Sequence, residues 1–314
     1  MRRTLAILLT LVLLGGCSVP SQNDSPPRTN RPIVGVVLPM FKHPFFVAMK
    51  NAVAAEAKRL EIDVDIRDGQ DDDQKQIVQV QALLSKRVDA IVLCPRDENA
   101  AVAAVESANR AGIPLVTVNR RVNGGKVVLY VGADDADGGK SQGEALVKAL
   151  GTGGGKVIYL QGTPGSSPQV NRAKGLHAVI DARKEITLAA DVFTDFQEDK
   201  AKSVMSGLVQ RFKPGEIQAI VAQADELALP AAEVARAAGW KDVVVIGFNG
   251  TKPAFDAIRD GTLHATILQD PAEQGKLALA AALDAVRGKT ALTDAITKLP
   301  VITKENVDAF RPSY

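Results

Sequence analysis

The sequence predicts an α/β protein with two lobes, each built on a doubly wound parallel sheet. Short apolar runs without polar alternation recur along the chain, beginning with Ile33–Leu38, and are typical of strands buried on both faces. Amphipathic stretches of helical period separate most of these runs, and such alternation favours parallel sheets. The chain has 314 residues, which is more than one compact core usually serves, so we expect two lobes.

Residues 1–16 predict an export signal. Two arginines precede the apolar run 5–14, which is too short to span a bilayer, and small residues follow it. The four residues that end at Cys17, Leu-Gly-Gly-Cys, resemble the lipobox of bacterial lipoproteins, which implies lipidation at Cys17. Residues 17–31 are rich in Pro, Ser and Asn and predict a lipidated tether. Several acyl chains on one terminus would hold the exported protein durably on a membrane.

Charge and cysteine content narrow the classes of partner. Removal of residues 1–16 takes two of 38 basic and none of 36 acidic residues, which leaves 36 of each. The basic residues are spread along amphipathic helices, so we expect no nucleic-acid partner. Cys94 is the only cysteine besides Cys17, and no internal disulfide is expected. Because Cys94 lies in an apolar run, it indicates a packed residue more than a nucleophile.

The first predicted helix follows the loop 40–45. Its buried stripe has spacings of three and four: Phe46, Met49, Val53, Ala57 and Leu60. Phe45 lies off the stripe, and its loop follows the carboxyl end of the first strand, where open α/β sheets bind ligands. Phe45 and Phe41 are therefore the first candidates for ligand contact, whereas Phe46 is at least as well explained as core.

Further strands and their polar endings continue the pattern. The predicted strands are 64–67, 90–94, 114–118, 127–131, 156–160, 189–193, 219–221, 243–247 and 265–268. Polar groups follow most of them at the same end, such as CPRDE, NRR and QADE. One such ending is an ordinary turn, but recurrence in both halves predicts two facing polar rims.

Several motifs fail on spacing. Gly138-Gly139-Lys140-Ser141 lacks the earlier glycine of a phosphate-binding loop, because position 134 is Asp134. The same stretch lacks the first carboxylate of a calcium loop, and the three histidines show no metal-ligand spacing. No nucleophile has a plausible base and orienting group. We expect no metal, no cofactor and no enzyme activity.

From Ile33 onward the chain resembles the ribose-binding-protein group of type I periplasmic binding proteins, the solute receptors of sugar ABC transporters. The resemblance rests on several segments in the family's order: KHPFFVAMK, CPRDENAAVAAVESANRAGIPLVTVNR, ADDADGGKSQGE, NRAKGLHAV, VAQADELALPA, IGFNGTKPA and ATILQDPAEQG. It implies two Rossmann-like lobes joined by a three-segment hinge. The implied N-terminal lobe is 32–133 plus 270–298, and the C-terminal lobe is 134–269 plus 299–314. Lac-repressor-type factors share this fold but begin with a DNA-binding motif, where this chain has its export signal.

The resemblance also implies a ligand site. Six of the family's contact positions are kept: Phe45, Phe46, Phe196, Arg120, Arg172 and Gln269. Five depart from the ribose pattern, which has asparagine or aspartate there: His43, Cys94, Asn119, Ala224 and Asn249. The aromatic faces would pack on a sugar ring while polar groups read its hydroxyls.

The departures change the expected charge of the site. Asn119 and Asn249 replace two aspartates, so the charge that would offset Arg120 and Arg172 is gone. Because an unpaired buried charge is costly, we expect a sugar acid or another oxidised or enlarged sugar derivative. The alternative is that Asp225, Asp97 or another carboxylate neutralises the arginines and leaves a site for a neutral sugar.

By resemblance, then, the chain is an extracytoplasmic solute-binding lipoprotein of an ABC importer. It would bind a monosaccharide or sugar derivative between its lobes and hand it to a membrane permease. We expect a monomer that is held by its lipid on the periplasmic or extracellular side of a membrane. The alternative is a ligand-binding receptor that feeds a membrane sensor kinase or chemoreceptor.

Overall fold

A computed structural model describes residues 31–289 and 292–314. The predicted export signal, Cys17 and nearly all of the predicted tether lie outside these residues. Within the described ranges, no helix has the length and apolar character needed to cross a bilayer.

The first sheet has six strands, all paired in parallel. The strands are β1 (Ile33–Leu38), β2 (Asp63–Asp68), β3 (Ala90–Leu93), β4 (Leu115–Val118), β5 (Tyr130–Ala133) and β11 (Ala295–Thr297). Their spatial order is β11-β5-β4-β3-β1-β2. The helices that accompany this sheet are α1 (Pro44–Arg59), α2 (Asp73–Ser85), α3 (Val102–Arg110) and α9 (Pro271–Val286).

The second sheet repeats this plan. Its strands are β6 (Gly155–Gln161), β7 (Ile186–Phe193), β8 (Ala219–Ala222), β9 (Val244–Asn249), β10 (Ala265–Leu268) and β12 (Val301–Thr303), in the order β12-β10-β9-β8-β6-β7. Only β12 is antiparallel to its neighbour. The accompanying helices are α4 (Asp135–Leu150), α5 (Ser167–Ile180), α6 (Glu198–Arg211), α7 (Asp225–Ala237) and α8 (Lys252–Asp260).

The apolar strand runs are continuous because both faces of each sheet are covered. Val36 packs into the core beneath α1 and α9, while its neighbour Val37 packs into the core beneath α2 and α3. Successive strand residues point to opposite faces, so a doubly covered strand needs an apolar residue at each position. The predicted fold class is confirmed.

The chain passes between the sheets three times within the described residues. The passages follow β5, β10 and β11, and both sheets belong to one unit, Arg31–Tyr314. Each predicted strand overlaps an observed one, but β5 begins three residues later than predicted. Strands β11 and β12 escaped prediction because three residues carry no readable periodicity.

Candidate functional site

The carboxyl ends of the two sheets face each other across a cavity of about 20 Å³. Its wall consists of His43, Phe45, Phe46, Asn119, Arg120, Pro168, Arg172, Phe196, Asn249 and Gln269. All but Pro168 are predicted site residues. A cavity of this size holds about one water molecule and is far smaller than the pockets that usually hold small-molecule ligands.

The start of α1 places the aromatic pair. His43 caps the helix, since its Nδ1 accepts the backbone N–H of Phe45 at 3.3 Å, and Pro44 occupies the first helical position. Phe45 and Phe46 then form the first turn, with ring centroids 5.3 Å apart in an edge-to-face arrangement. The local sequence therefore determines both where the helix begins and which rings it presents.

Phe196 completes the aromatic wall from the second lobe. Its φ of +56° is rare for a bulky residue, and such strain persists only where the surroundings fix it. Gly162 supplies the space, because a Cβ there would lie 2.0 Å from the Phe196 ring. The His43 ring lies between the two lobes' aromatic groups, 5.7 Å from Phe46 and 6.4 Å from Phe196 by centroids.

Phe45 differs from expectation in its burial. Its side chain is only 3% exposed, because the Tyr314 ring packs edge-on against it at a centroid distance of 6.0 Å. The local sequence pattern around Phe45 does not predict a contact with a residue as distant in the chain as Tyr314. Phe41 does not line the cavity, and instead packs on the first lobe's core with Lys50 Nζ 4.8 Å from its ring centroid.

Arg172 is neutralised inside the second lobe. Its Nε donates to Asp135 Oδ1 at 2.8 Å, and its Nη1 donates to the carbonyl of Gln223 at 2.6 Å. Its guanidinium also lies 3.6 Å from the Phe248 ring centroid. Burial raises the pKa of Asp135, and the guanidinium acts in the opposite direction. The alternative in which another carboxylate neutralises an arginine therefore holds for Arg172.

Gly139 and Gly175 bring this pair together. A Cβ on Gly139 would lie 2.0 Å from the carbonyl oxygen of Arg172, and one on Gly175 would lie 2.0 Å from that of Ala136. Helices α4 and α5 therefore pack with their backbones in close approach, which sets Asp135 beside Arg172. The motif that fails as a phosphate loop thus has a packing role.

Among the described residues, Arg120 has no carboxylate partner of this kind. It is 3% exposed, its Nη1 donates only to the carbonyls of Pro95 and Arg96 at 3.3 and 3.1 Å, and its buried Nε is unpaired within the described residues. Burial lowers its pKa. Its guanidinium carbon lies 5.4 Å from the Phe46 centroid and 5.7 Å from that of Phe196.

A series of side-chain amides crosses from one lobe to the other. Asn119 donates to Gln274 at 3.1 Å, Gln274 to Gln269 at 3.3 Å, and Gln269 to Asn249 at 2.7 Å. Both asparagines have positive φ, +60° and +112°, which asparagine tolerates better than most residues. Gln274, on α9, is a component that sequence reasoning missed.

At the rim of the cavity, the Glu226 carboxylate makes a set of contacts that sequence reasoning also missed. Glu226 accepts from Asn249 Nδ2 at 2.9 Å and from the Tyr314 hydroxyl at 2.6 Å, and it lies 3.8 Å from His43 Nδ1. Burial lowers the pKa of His43, with the two arginines adding to the effect and Glu226 opposing it. The neutral ring accepts at Nδ1, so its proton lies on Nε2 and gives one further donor.

An outer cleft of about 970 Å³ borders the cavity at His43 and Phe196. Its acidic residues outnumber its one lysine, Lys42: Asp68, Asp71, Glu198, Asp199 and Glu226. The cavity wall itself contains two arginines and no carboxylate. The mouth and the interior therefore have opposite charge.

Cys94 and Ala224 are not brought to the cavity wall. Cys94 is fully buried in the first lobe's core, and burial raises the pKa of its thiol to about 12. Ala224 is the N-cap of α7 and packs in the second lobe's core. Among the described residues, no group of His, Cys, Asp or Glu side chains could hold a metal ion.

Comparison with known proteins identifies the family. A family model described as the periplasmic binding protein domain matches residues 34–290, so the chain belongs to this family. It is 37% identical over 295 residues to the ribose import binding protein of Bacillus subtilis, with 92% of this chain and 95% of that protein covered.

Solved structures agree. The Caulobacter myo-inositol binding protein, bound to myo-inositol, superposes with a TM-score of 0.86 at 29% identity and covers 91% of this chain and 97% of that one. The fructose-binding periplasmic domain of a hybrid two-component system superposes with a TM-score of 0.83 at 25% identity, covering 88% and 93%.

Proposed function

We propose that this member of the periplasmic binding protein family is an extracytoplasmic solute-binding lipoprotein of an ABC importer. It binds a monosaccharide or sugar derivative between its lobes and delivers it to a membrane permease. The cavity wall carries the proposal, because each lobe supplies aromatic and arginine side chains: Phe45, Phe46 and Arg120 from one, Phe196 and Arg172 from the other. Aromatic faces pack on the C–H faces of a sugar ring, and the surrounding polar groups read its hydroxyls.

The mechanism is hinge closure. A ligand that touches both lobes favours the closed over the open arrangement by its differential contacts. The amide series from Asn119 to Asn249 connects the two rims. A ligand that contacts either asparagine therefore also affects the equilibrium between the open and closed arrangements. The moving bodies are 32–133 plus 270–298 and 134–269 plus 299–314. The ligand leaves unaltered, without catalysis or a cofactor.

The protein acts as a monomer tethered to a membrane. After removal of residues 1–16, Cys17 carries the lipid and residues 17–31 form the tether on the periplasmic or extracellular side. Cys17→Ser should release the protein from the membrane fraction or leave it unprocessed. A Cys17→Ser protein that stays membrane-bound with a mature N-terminus would contradict this anchor.

Calorimetric titration of the purified protein tests the binding role. A panel of pentoses, hexoses, polyols and sugar acids should contain a ligand that binds with one-to-one stoichiometry. Phe196→Ala should weaken that ligand about tenfold or more, since it removes one stacking face. Phe193→Ala is the matched control, because Phe193 is 49% exposed and lies outside the cavity wall. Absence of binding across the panel, or equal weakening by both variants, would refute the proposal.

A second candidate function is a receptor that presents its ligand to a membrane sensor kinase or chemoreceptor. The similarity to the fructose-binding domain of a hybrid two-component system supports this sensing role. Deletion of the protein from its host separates the two roles. Loss of ligand uptake supports transport, whereas loss of ligand-induced transcription or chemotaxis with uptake intact supports sensing.

A further inference from the structure

We infer that the ligand is a sugar derivative with a single carboxylate, and that Arg120 binds this carboxylate. The inference rests on the proposed function, and narrows the substrate class from sugars in general to monoanionic sugar acids. It follows from a charge count of the cavity wall and from the position of Arg120 among the aromatic rings.

Within the part of the chain that the structure describes, one of the two positive charges in the cavity wall, that of Arg120, lacks a counter-ion. Arg172 is balanced by Asp135 at 2.8 Å, with both side chains at most 6% exposed. Arg120 is equally buried, yet it forms no ion pair with any described carboxylate, and its Nε has no hydrogen-bond partner there. Two backbone carbonyls solvate one end of the guanidinium but do not cancel its charge.

The nearby carboxylates are engaged elsewhere. Asp71 pairs with Arg96 at 3.0 Å, and Asp97 accepts two backbone N–H groups of its own loop at 2.8 Å. Asp225 accepts from Thr251 and Thr266. Glu226 is held by Tyr314 and Asn249. None of these described carboxylates forms an ion pair with Arg120, while Arg172 is paired with Asp135.

A buried, unbalanced guanidinium is costly, and a carboxylate that accepts its N–H donors removes most of that cost. The guanidinium lies within 6 Å of two aromatic rings, Phe46 and Phe196. A sugar ring stacked on either face thus places a ring substituent within reach of Arg120. Because only one charge is unbalanced, one carboxylate suffices.

Matched pairs of ligands test the inference: D-glucuronate with D-glucose, D-galacturonate with D-galactose, and D-ribonate with D-ribose, together with ribose 5-phosphate. At least one acid should raise the Tm by about 5–10 °C at a hundred times its Kd, while its neutral partner does not. Arg120→Met should weaken that acid at least a hundredfold, and Arg120→Lys should weaken it less. Arg110→Met is the matched control, because Arg110 is 69% exposed.

The ligand-free variants give a second readout. Arg120→Met should be at least as stable as the parent protein without ligand, since it removes an unbalanced buried charge. A merely structural arginine would give the opposite result. If Arg120→Met fails to fold, the inference is wrong on this count, and Arg120→Lys still reports on acid binding.

The remaining outcomes separate this inference from the proposed function. Binding of neutral sugars without any acid would overturn the inference and leave the receptor assignment intact. Binding of ribose 5-phosphate and of no carboxylate would overturn the assignment of a carboxylate. An acid that binds Arg120→Met as tightly as the parent protein would overturn the role of Arg120. Failure of every sugar and acid to bind would refute the proposed function itself.

Discussion

Replacing Asp135 by asparagine should destabilise the protein by about 3–5 kcal/mol. This is the usual cost of removing one partner of a buried ion pair, because the other charge is left without compensation. The Arg172 Nε–Asp135 Oδ1 distance is 2.8 Å, and the two side chains are 3% and 6% exposed, so solvent cannot substitute for the lost charge. The amide oxygen of the Asp135→Asn variant could still accept the Nε–H bond, which makes the change chiefly one of charge.

Urea unfolding at pH 7 measures the effect, and the Tm should fall by roughly 6–20 °C. Glu185→Gln is the control, because the exposed pair of Glu185 and Arg183, 3.7 Å apart, should contribute less than about 1 kcal/mol. The double variant Asp135→Asn with Arg172→Gln should recover part of the loss. A cost of less than about 1 kcal/mol would show that Arg172 does not depend on Asp135 for the compensation of its charge.

Three further predictions concern pH, the rim and ligand entry. Burial raises the pKa of Asp225 to about 7, so the folded protein favours the protonated side chain. The stability that this provides is complete below the unfolded pKa of about 4 and is lost as pH rises through 7. The total loss is at most about 4 kcal/mol. Asp225→Asn should flatten this dependence in urea melts at pH 4.5, 6 and 8, and an unchanged slope would contradict it. Tyr314→Phe removes a hydrogen bond to Glu226 and should cost about 1.5–3 kcal/mol in the same assay, whereas a cost near zero would show that water replaces the hydroxyl. Because the outer cleft is acidic, it should repel an acid ligand, and salt should raise the association rate measured by stopped flow by screening this repulsion. A rate that falls with salt would refute electrostatic repulsion at the outer cleft.

Local sequence patterns predicted the two sheets, whereas the family resemblance supplied most of the residues that line the cavity. Strand runs such as Ile33–Leu38 are readable because burial on both faces removes polar alternation. The aromatic pair was predicted at the start of a helix because the apolar stripe of helical period begins at Phe46. These local signals predicted where the strands and the first helix lie, but they did not predict the burial of Phe45 against Tyr314.

The contacts that determine charge in the site are not local. Asp135 and Arg172 meet because glycines allow helices α4 and α5 to approach closely. The sequence pattern around either residue does not predict its contact with the other. Tyr314 reaches Phe45 and Glu226 from the far end of the described chain. The charge balance of the two arginines consequently required the structure, which separates a neutralised Arg172 from an unbalanced Arg120.

Small-angle X-ray scattering of the purified protein, with and without its calorimetrically identified ligand at saturation, tests the central claim most directly. Hinge closure predicts a smaller radius of gyration in the presence of ligand, because contacts from Phe46 on one lobe and Phe196 on the other draw the lobes together. Phe193→Ala should compact to the same extent as the parent protein, while Phe196→Ala should need more ligand to do so. A radius of gyration that stays unchanged with the ligand bound would contradict closure of the two lobes around the cavity.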